Sequence, residues 1–137
     1  MDLSGKAFLN VDFSGKDLNG ADFENCKFYH CTFDNASLVN CNLQNALFSN
    51  CSLYNATAEE AELQNARFFS CNLAKAFFSH SNFKEAVLKS CQTTSSSFMN
   101  CCIENIALEE TDLPNDEMFN SELDWIKNDI PDFEPNM

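Results

Sequence analysis

Glycine and proline are nearly missing from this sequence, three of each in 137 residues. Disordered and loop-dominated chains are enriched in both, so that class is excluded. All three glycines lie within the first twenty residues, and no Gly-rich loop follows that could cradle a phosphate. Bases are scarce as well: eight Lys and Arg stand against 21 acids, a formal net charge of −13. Such a chain repels nucleic-acid phosphates and anionic lipid, so neither is expected as a direct partner. No apolar run approaches the length of a membrane span. The opening segment, MDLSGKAFLNVDFSGKDL, has neither the basic block nor the apolar block of a secretory signal. A cytoplasmic location is therefore expected, with the eight cysteines reduced, because disulfides belong to oxidising compartments.

Phenylalanine, by contrast, is abundant, and its placement is periodic. In ENCKFYHCTFDNASLVNCNLQNALFSNC, Phe28, Phe33, Leu38, Leu43 and Phe48 fall five apart. Two residues before each sits Cys26, Cys31, Ala36, Cys41 or Ala46. Followed from residue 3 to residue 123, the period has 25 centres, of which 21 are Leu or Phe. The exceptions are Ala58, Thr93, Ile103 and Met118. Five suits neither regular element. On an α-helix it advances the direction by about 140°, scattering the centres around the axis. On a flat strand it sends alternate centres to opposite faces. Residues two apart on an extended segment do share a face, so the centre and the small residue before it can both point inward if the chain turns a corner once per unit. The small positions carry a second period: those ending in 6 are mostly Ala, those ending in 1 mostly Cys. A repeat of ten survives in a coil of four sides and twenty residues, and is scrambled in one of three sides and fifteen.

Units such as ADFEN, ASLVN, CNLQN, AELQN and CNLAK resemble the A(D/N)LXX pattern of the pentapeptide-repeat family, and the resemblance runs from residue 1 to residue 113. It implies an all-β solenoid: a right-handed, four-sided β-helix of about six coils. Phe and Cys replace much of the family's Leu and Ala, as they tend to in its quinolone-resistance branch. The domain reading is a β-helix over 1–114, a C-terminal capping α-helix over 115–130 and an acidic tail over 131–137. For the helix, Asn115 is an N-cap followed by Asp116 and Glu117, and Pro131 is the stop. Its apolar residues would close the open end of the stack, as solenoids require. Within the coils, Lys6 and Lys16 occupy inward positions and predict a splayed first turn. Ala58 leaves a gap for Phe78 to fill, and the run TTSSS from Thr93 predicts a distorted turn.

Catalytic chemistry finds no support. Seven of the eight thiols point inward as small apolar filling, and a parallel column of them does not converge as a zinc site must. Only Cys102 points outward. His30 and His80 sit at distant corners, and acid pairs such as Glu59 and Glu60 read as solvated turns. No cofactor and no metal are expected. The outward positions are more informative. Leu9, Tyr29, Leu47, Phe69 and Val87 share one side and form a candidate surface for another protein or a second copy. The next side carries Asp2, Asp22, Glu24, Glu62, Glu85 and Glu104 against Lys84. On the helix, Phe119, Leu123, Trp125 and Ile126 are dimer candidates.

Two functions follow. The first is a non-catalytic protein-binding scaffold. The second is implied by the resemblance: some family members imitate duplex DNA and bind DNA gyrase or topoisomerase IV, protecting it from quinolones or toxins. Charge weighs against the second. Six coils at ~4.8 Å stand roughly 30 Å tall, a height at which duplex DNA holds roughly 17 charges. Residues 1–114 hold 14 acids against 7 bases, net −7. The chain also lacks the projecting loops that many of those relatives use.

Overall fold

The fold rests on a corner repeated every fifth residue. In the computed structural model, which describes residues 1–114, every position that is a multiple of five from Gly5 to Glu110 adopts left-handed backbone, with φ between 47° and 75°. Gly5, Gly15 and Gly20 adopt it without strain, and ten more of these corners are Asn, whose short amide tolerates the region. Asp, Asn or Thr three residues before a corner steadies it: Asp22 Oδ1 accepts from the Glu24 N–H at 3.0 Å, and Asn82 Oδ1 from the Lys84 N–H at 2.9 Å.

Four corners return the chain to its starting side twenty residues on. One side is a parallel sheet of six short strands: β1 Ala7–Leu9, β2 Lys27–Tyr29, β3 Leu47–Ser49, β4 Arg67–Phe69, β5 Val87–Lys89 and β6 Ala107–Glu109. The centres pair in register, Phe8 with Phe28, Phe28 with Phe48, and so on to Leu108. The other three sides repeat the same offset as single bridges, for example Asp2 with Asp22, Asp12 with Thr32 and Asp17 with Ser37. The coil is four-sided, as the period of ten implies. Main-chain bonds tie each coil to the next, among them Phe33 N to Ser52 O at 2.7 Å and Leu38 N to Thr57 O at 2.6 Å.

Inside, the centres stack. Phe8, Phe28, Phe48 and Phe68 form one pile with ring centroids 5.2, 4.9 and 4.6 Å apart and planes nearly parallel. Phe13 stacks on Phe33 at 4.8 Å, and Phe78 on Phe98 at 5.1 Å. The spacing of a parallel sheet is also the spacing of offset aromatic stacking, so one geometry satisfies both. Each buried Phe contributes roughly 1.5–3 kcal/mol.

Two expectations of disorder in the coils are corrected. Lys6 and Lys16 are exposed at the open end, yet the first coil stays paired, with Leu3 N bonded to Asp22 O and Gly15 N to Asp34 O. A long amine at an inward position is tolerated there because no coil lies above it. The polar run keeps its shape as well. Thr93 and Ser96 are buried with their hydroxyls donating to the Asp112 and Thr93 carbonyls, and Ser95 holds the corner at φ 61°. Hydroxyls that find main-chain acceptors replace apolar filling without bending the coil. Ala58 is buried, and its carbonyl accepts from Ser81 Oγ at 2.6 Å. The capping helix of 115–130 and the tail of 131–137 lie outside the described residues.

Phe48 touches aromatic neighbours above and below, so Phe48→Ala is expected to cost about 3–5 kcal/mol in urea unfolding. A loss below 1 kcal/mol would contradict the stacking account. At the corners the signs diverge. Asn45→Ala should destabilise by about 1 kcal/mol, whereas Glu60→Asn, at φ 54°, should stabilise by roughly 0.5–1 kcal/mol. Equal effects at both corners would count against left-handed strain.

Candidate functional site

With the centres turned inward, the two residues flanking each centre face solvent. On the sheet side they form two columns by register. One runs Ala7, Lys27, Leu47, Arg67, Val87, Ala107; the other runs Leu9, Tyr29, Ser49, Phe69, Lys89, Glu109. The five residues nominated from sequence are therefore brought onto one sheet. Leu9 is exposed, while Tyr29, Leu47, Phe69 and Val87 are half-buried. Their surroundings differ from a plain apolar patch. Lys27, Arg67 and Lys89 are interleaved among them, and Glu109 is the sole acid, 3.7 Å from the Lys89 amine. Three of the seven bases within residues 1–114 thus lie on this side. That mixture was missed in the linear reading, although the flanks of centres 28, 68 and 88 spell it out.

The adjacent side gathers the nominated acids. Asp2, Asp22 and Glu62 lie in one column with Asn42 and Asn82, while Glu24 and Glu104 flank the same centres and Glu85 holds a corner. The charge is broken at mid-height, where Asn42 stands in the acid column, and near the far end Lys84 approaches Glu104 at 3.8 Å. Several carboxylates also serve the backbone. The Ser4 hydroxyl, and next its N–H, hold the Asp2 carboxyl below its usual range, and Ser14 acts in the same way on Asp12. Opposite the sheet, Phe77 and Met99 are exposed apolar residues that the sequence reading passed over. His30 and His80 occupy different corners with no nucleophile between them. Phe119, Leu123, Trp125 and Ile126 lie outside the described residues.

The seven inward thiols are buried and Cys102 is partly exposed. Each inward thiol donates to the main-chain carbonyl 23 residues earlier, as Cys41 does to Leu18 at 3.0 Å and Cys101 to Phe78 at 2.8 Å. Burial pushes Cys26 and Cys31 up, and Cys41 up to about 11. Three of these thiols, Cys31, Cys51 and Cys71, also floor a surface groove of about 490 Å³ that the sequence reading did not find.

Sequence comparison accords with this geometry. Pentapeptide repeats, eight copies, match residues 7–45, and the pentapeptide repeat region matches residues 45–118. The chain belongs to the pentapeptide-repeat family. Among solved structures, a pentapeptide repeat protein from the thylakoid lumen of Arabidopsis thaliana matches with a TM-score of 0.67 and 20% identity, over 85% of this chain and 77% of that one. Rfr23, a pentapeptide repeat protein of the cyanobacterium Cyanothece 51142, matches with a TM-score of 0.57 and 22% identity, over 83% and 88% respectively. At these identities the likeness is one of fold. A comparison with curated proteins gives no match. Nothing in the repeat family or in the described site indicates an enzyme.

The raised Cys41 value sets a pH dependence. The folded chain keeps this proton between pH 9.0 and about 11, where the unfolded thiol, at its ordinary 9.0, has lost it. The folded state then binds more protons, so this contribution is complete below pH 9 and falls as pH rises toward 11. The difference amounts to about 2–3 kcal/mol. Thermal melts from pH 8.5 to 11 should decline more steeply for the natural chain than for Cys41→Ala, and parallel slopes would refute this.

Proposed function

We propose that this pentapeptide-repeat protein is a non-catalytic scaffold that holds another protein against its β1–β6 face. The observation carrying the reading is the composition of that face: Arg67 and Phe69 flank one centre on β4, Tyr29 lies two strands away in the column of Phe69 with Ser49 between, and Leu47 and Val87 stand on either side of Arg67. Tyr and Arg dominate the few residues that carry interface energy. A sheet held by its own coils needs no ordering on binding, which lowers the cost of association. The partner that fits is one with an apolar patch rimmed by acids, to meet Lys27, Arg67 and Lys89.

Imitation of duplex DNA toward a type II topoisomerase ranks below this. It would use the acidic side, whose charge is interrupted at Asn42 and offset at Lys84. The net −7 of residues 1–114 is under half the charge of a duplex of that height.

Affinity capture from the source cells with the tagged chain should retain a partner that Phe69→Glu and Arg67→Glu both lose, each with an unaltered melt. Retention of the same partner by both variants would sink the proposal. In a gyrase supercoiling reaction at varied salt, the protein should have no effect at micromolar concentration. Inhibition or protection there would favour the acidic side instead.

A further inference from the structure

Cys31, Cys51, Cys71 and Cys91 stand one above another on consecutive coils, in the register set by the bridges from Thr32 to Ser52, Ser52 to Asn72 and Asn72 to Gln92. Cys31, Cys51 and Cys71 floor the groove of about 490 Å³ at the corner where the sheet meets the following side, and Cys91 continues the column one coil further. Its walls are polar, with His30, Asn50, Ser70 and Ser90 along one edge and Thr32, Ser52, Asn72 and Gln92 along the other.

These sulfurs are held more loosely than the other buried thiols. Cys26, Cys41 and Cys101 donate to a main-chain carbonyl at 2.8–3.0 Å. In the column, each thiol instead divides long contacts between two carbonyls; Cys71 lies 3.3 Å from Phe48 O and 3.4 Å from Phe69 O. The column thiols also face one another. The bridge register places Cys71 one coil from both Cys51 and Cys91, and Cys51 one coil from Cys31.

Among the described residues no three His, Cys, Asp or Glu side chains are placed to share one metal ion, so an ion that needs four ligands is not served. A row of sulfurs does serve an ion satisfied by two ligands in line. Two metal–sulfur bonds of about 2.3 Å span roughly 4.6 Å, close to the ~4.8 Å between neighbouring strands. Soft thiolate ligands suit Cu(I), Zn and Fe–S clusters, and of these Cu(I) is the ion that two ligands satisfy. We propose that the column of Cys31, Cys51, Cys71 and Cys91 binds Cu(I), each ion seated between two successive sulfurs, with three gaps available. Each ion replaces one thiol proton. One S–H bond breaks, two S–Cu bonds form, the proton leaves to solvent and no electron is transferred. The column's charge is unchanged, which a buried site requires.

The test uses the full chain with Cys102→Ser, titrated anaerobically with Cu(I) against a chromogenic Cu(I) chelator. The readouts are thiolate-to-copper absorption, released protons and circular dichroism. The expected result is one to three ions per chain, one proton per ion, an unchanged fold and no comparable uptake of Zn(II). Adding Cys51→Ala with Cys71→Ala removes every adjacent pair and should abolish uptake. Adding Cys71→Ala alone should leave one ion, and Cys26→Ala with Cys41→Ala should leave uptake intact. Ala already fills inward positions 46, 56 and 66, so these changes suit the coil. Less than one ion per folded chain, equal uptake after loss of Cys51 and Cys71, equal affinity for Zn(II), or unfolding on titration would each overturn the assignment.

Discussion

A left-handed backbone step at every fifth residue is the constraint from which the rest of this molecule follows. One such step turns the chain through a corner, and the next three or four residues run extended before another. Were the steps irregularly spaced, successive coils would fall out of register, and neither the sheet pairing nor the Phe piles could form. Asn is the commonest solution at these corners, although Glu60, Lys75, His80 and Ser90 occupy the same conformation. An ordinary L-residue there carries a steric cost of roughly 1–2 kcal/mol. Such corners persist because the coils above and below over-determine them.

The stack then converts a local constraint into a cooperative one. A single coil cannot bury Phe48; it is buried because Phe28 and Phe68 lie within 5 Å of its centroid on either side. Each coil completes its neighbours, as in solenoids generally. The ends of the stack follow the same logic. At the first coil Leu3 and Phe8 are only partly buried and two lysines replace inward small residues. A position that would be intolerable in the middle is acceptable where one neighbour is missing.

The interior was legible from sequence because it is written twice, once in the period of five and again in the Cys/Ala period of ten. Leu, Phe, Cys and Ala at fixed offsets leave no other inward set, and the structure buries that set from Phe13 to Ile103. Legibility fell where one residue type can be satisfied in two ways. Thr93 and Ser96 read as a weakness because hydroxyls are polar, yet main-chain carbonyls within reach make them ordinary filling. The surface was harder for a different reason. Which residues become neighbours there depends on the offset of twenty, and the interleaving of Lys27, Arg67 and Lys89 with Tyr29 and Phe69 emerges only once coils are laid side by side. The thiol groove was hidden in the same way, since Ser70, Ser90 and Ser52 form its walls only as a stack.

This division also says where function can reside. Of each five residues, two point inward and one holds the corner, and all three are dictated by packing or by φ. The remaining two face outward, constrained mainly by their neighbours on adjacent coils. Recognition must therefore be carried by outward pairs, and only the sheet side presents them as strands of fixed orientation. There the chain departs from its own acidic average, concentrating cations and aromatics. The thiol column is the complementary exception, buried inward residues that lie directly beneath a polar surface groove. Bulkier residues at Ser52, Ser70 and Ser90 would roof the column without touching the core. Their small size is not required by the coil: Tyr29 and Phe77 show that an outward position such as Ser52 accepts a large side chain, and Lys75 and His80 show the same for corners such as Ser70 and Ser90.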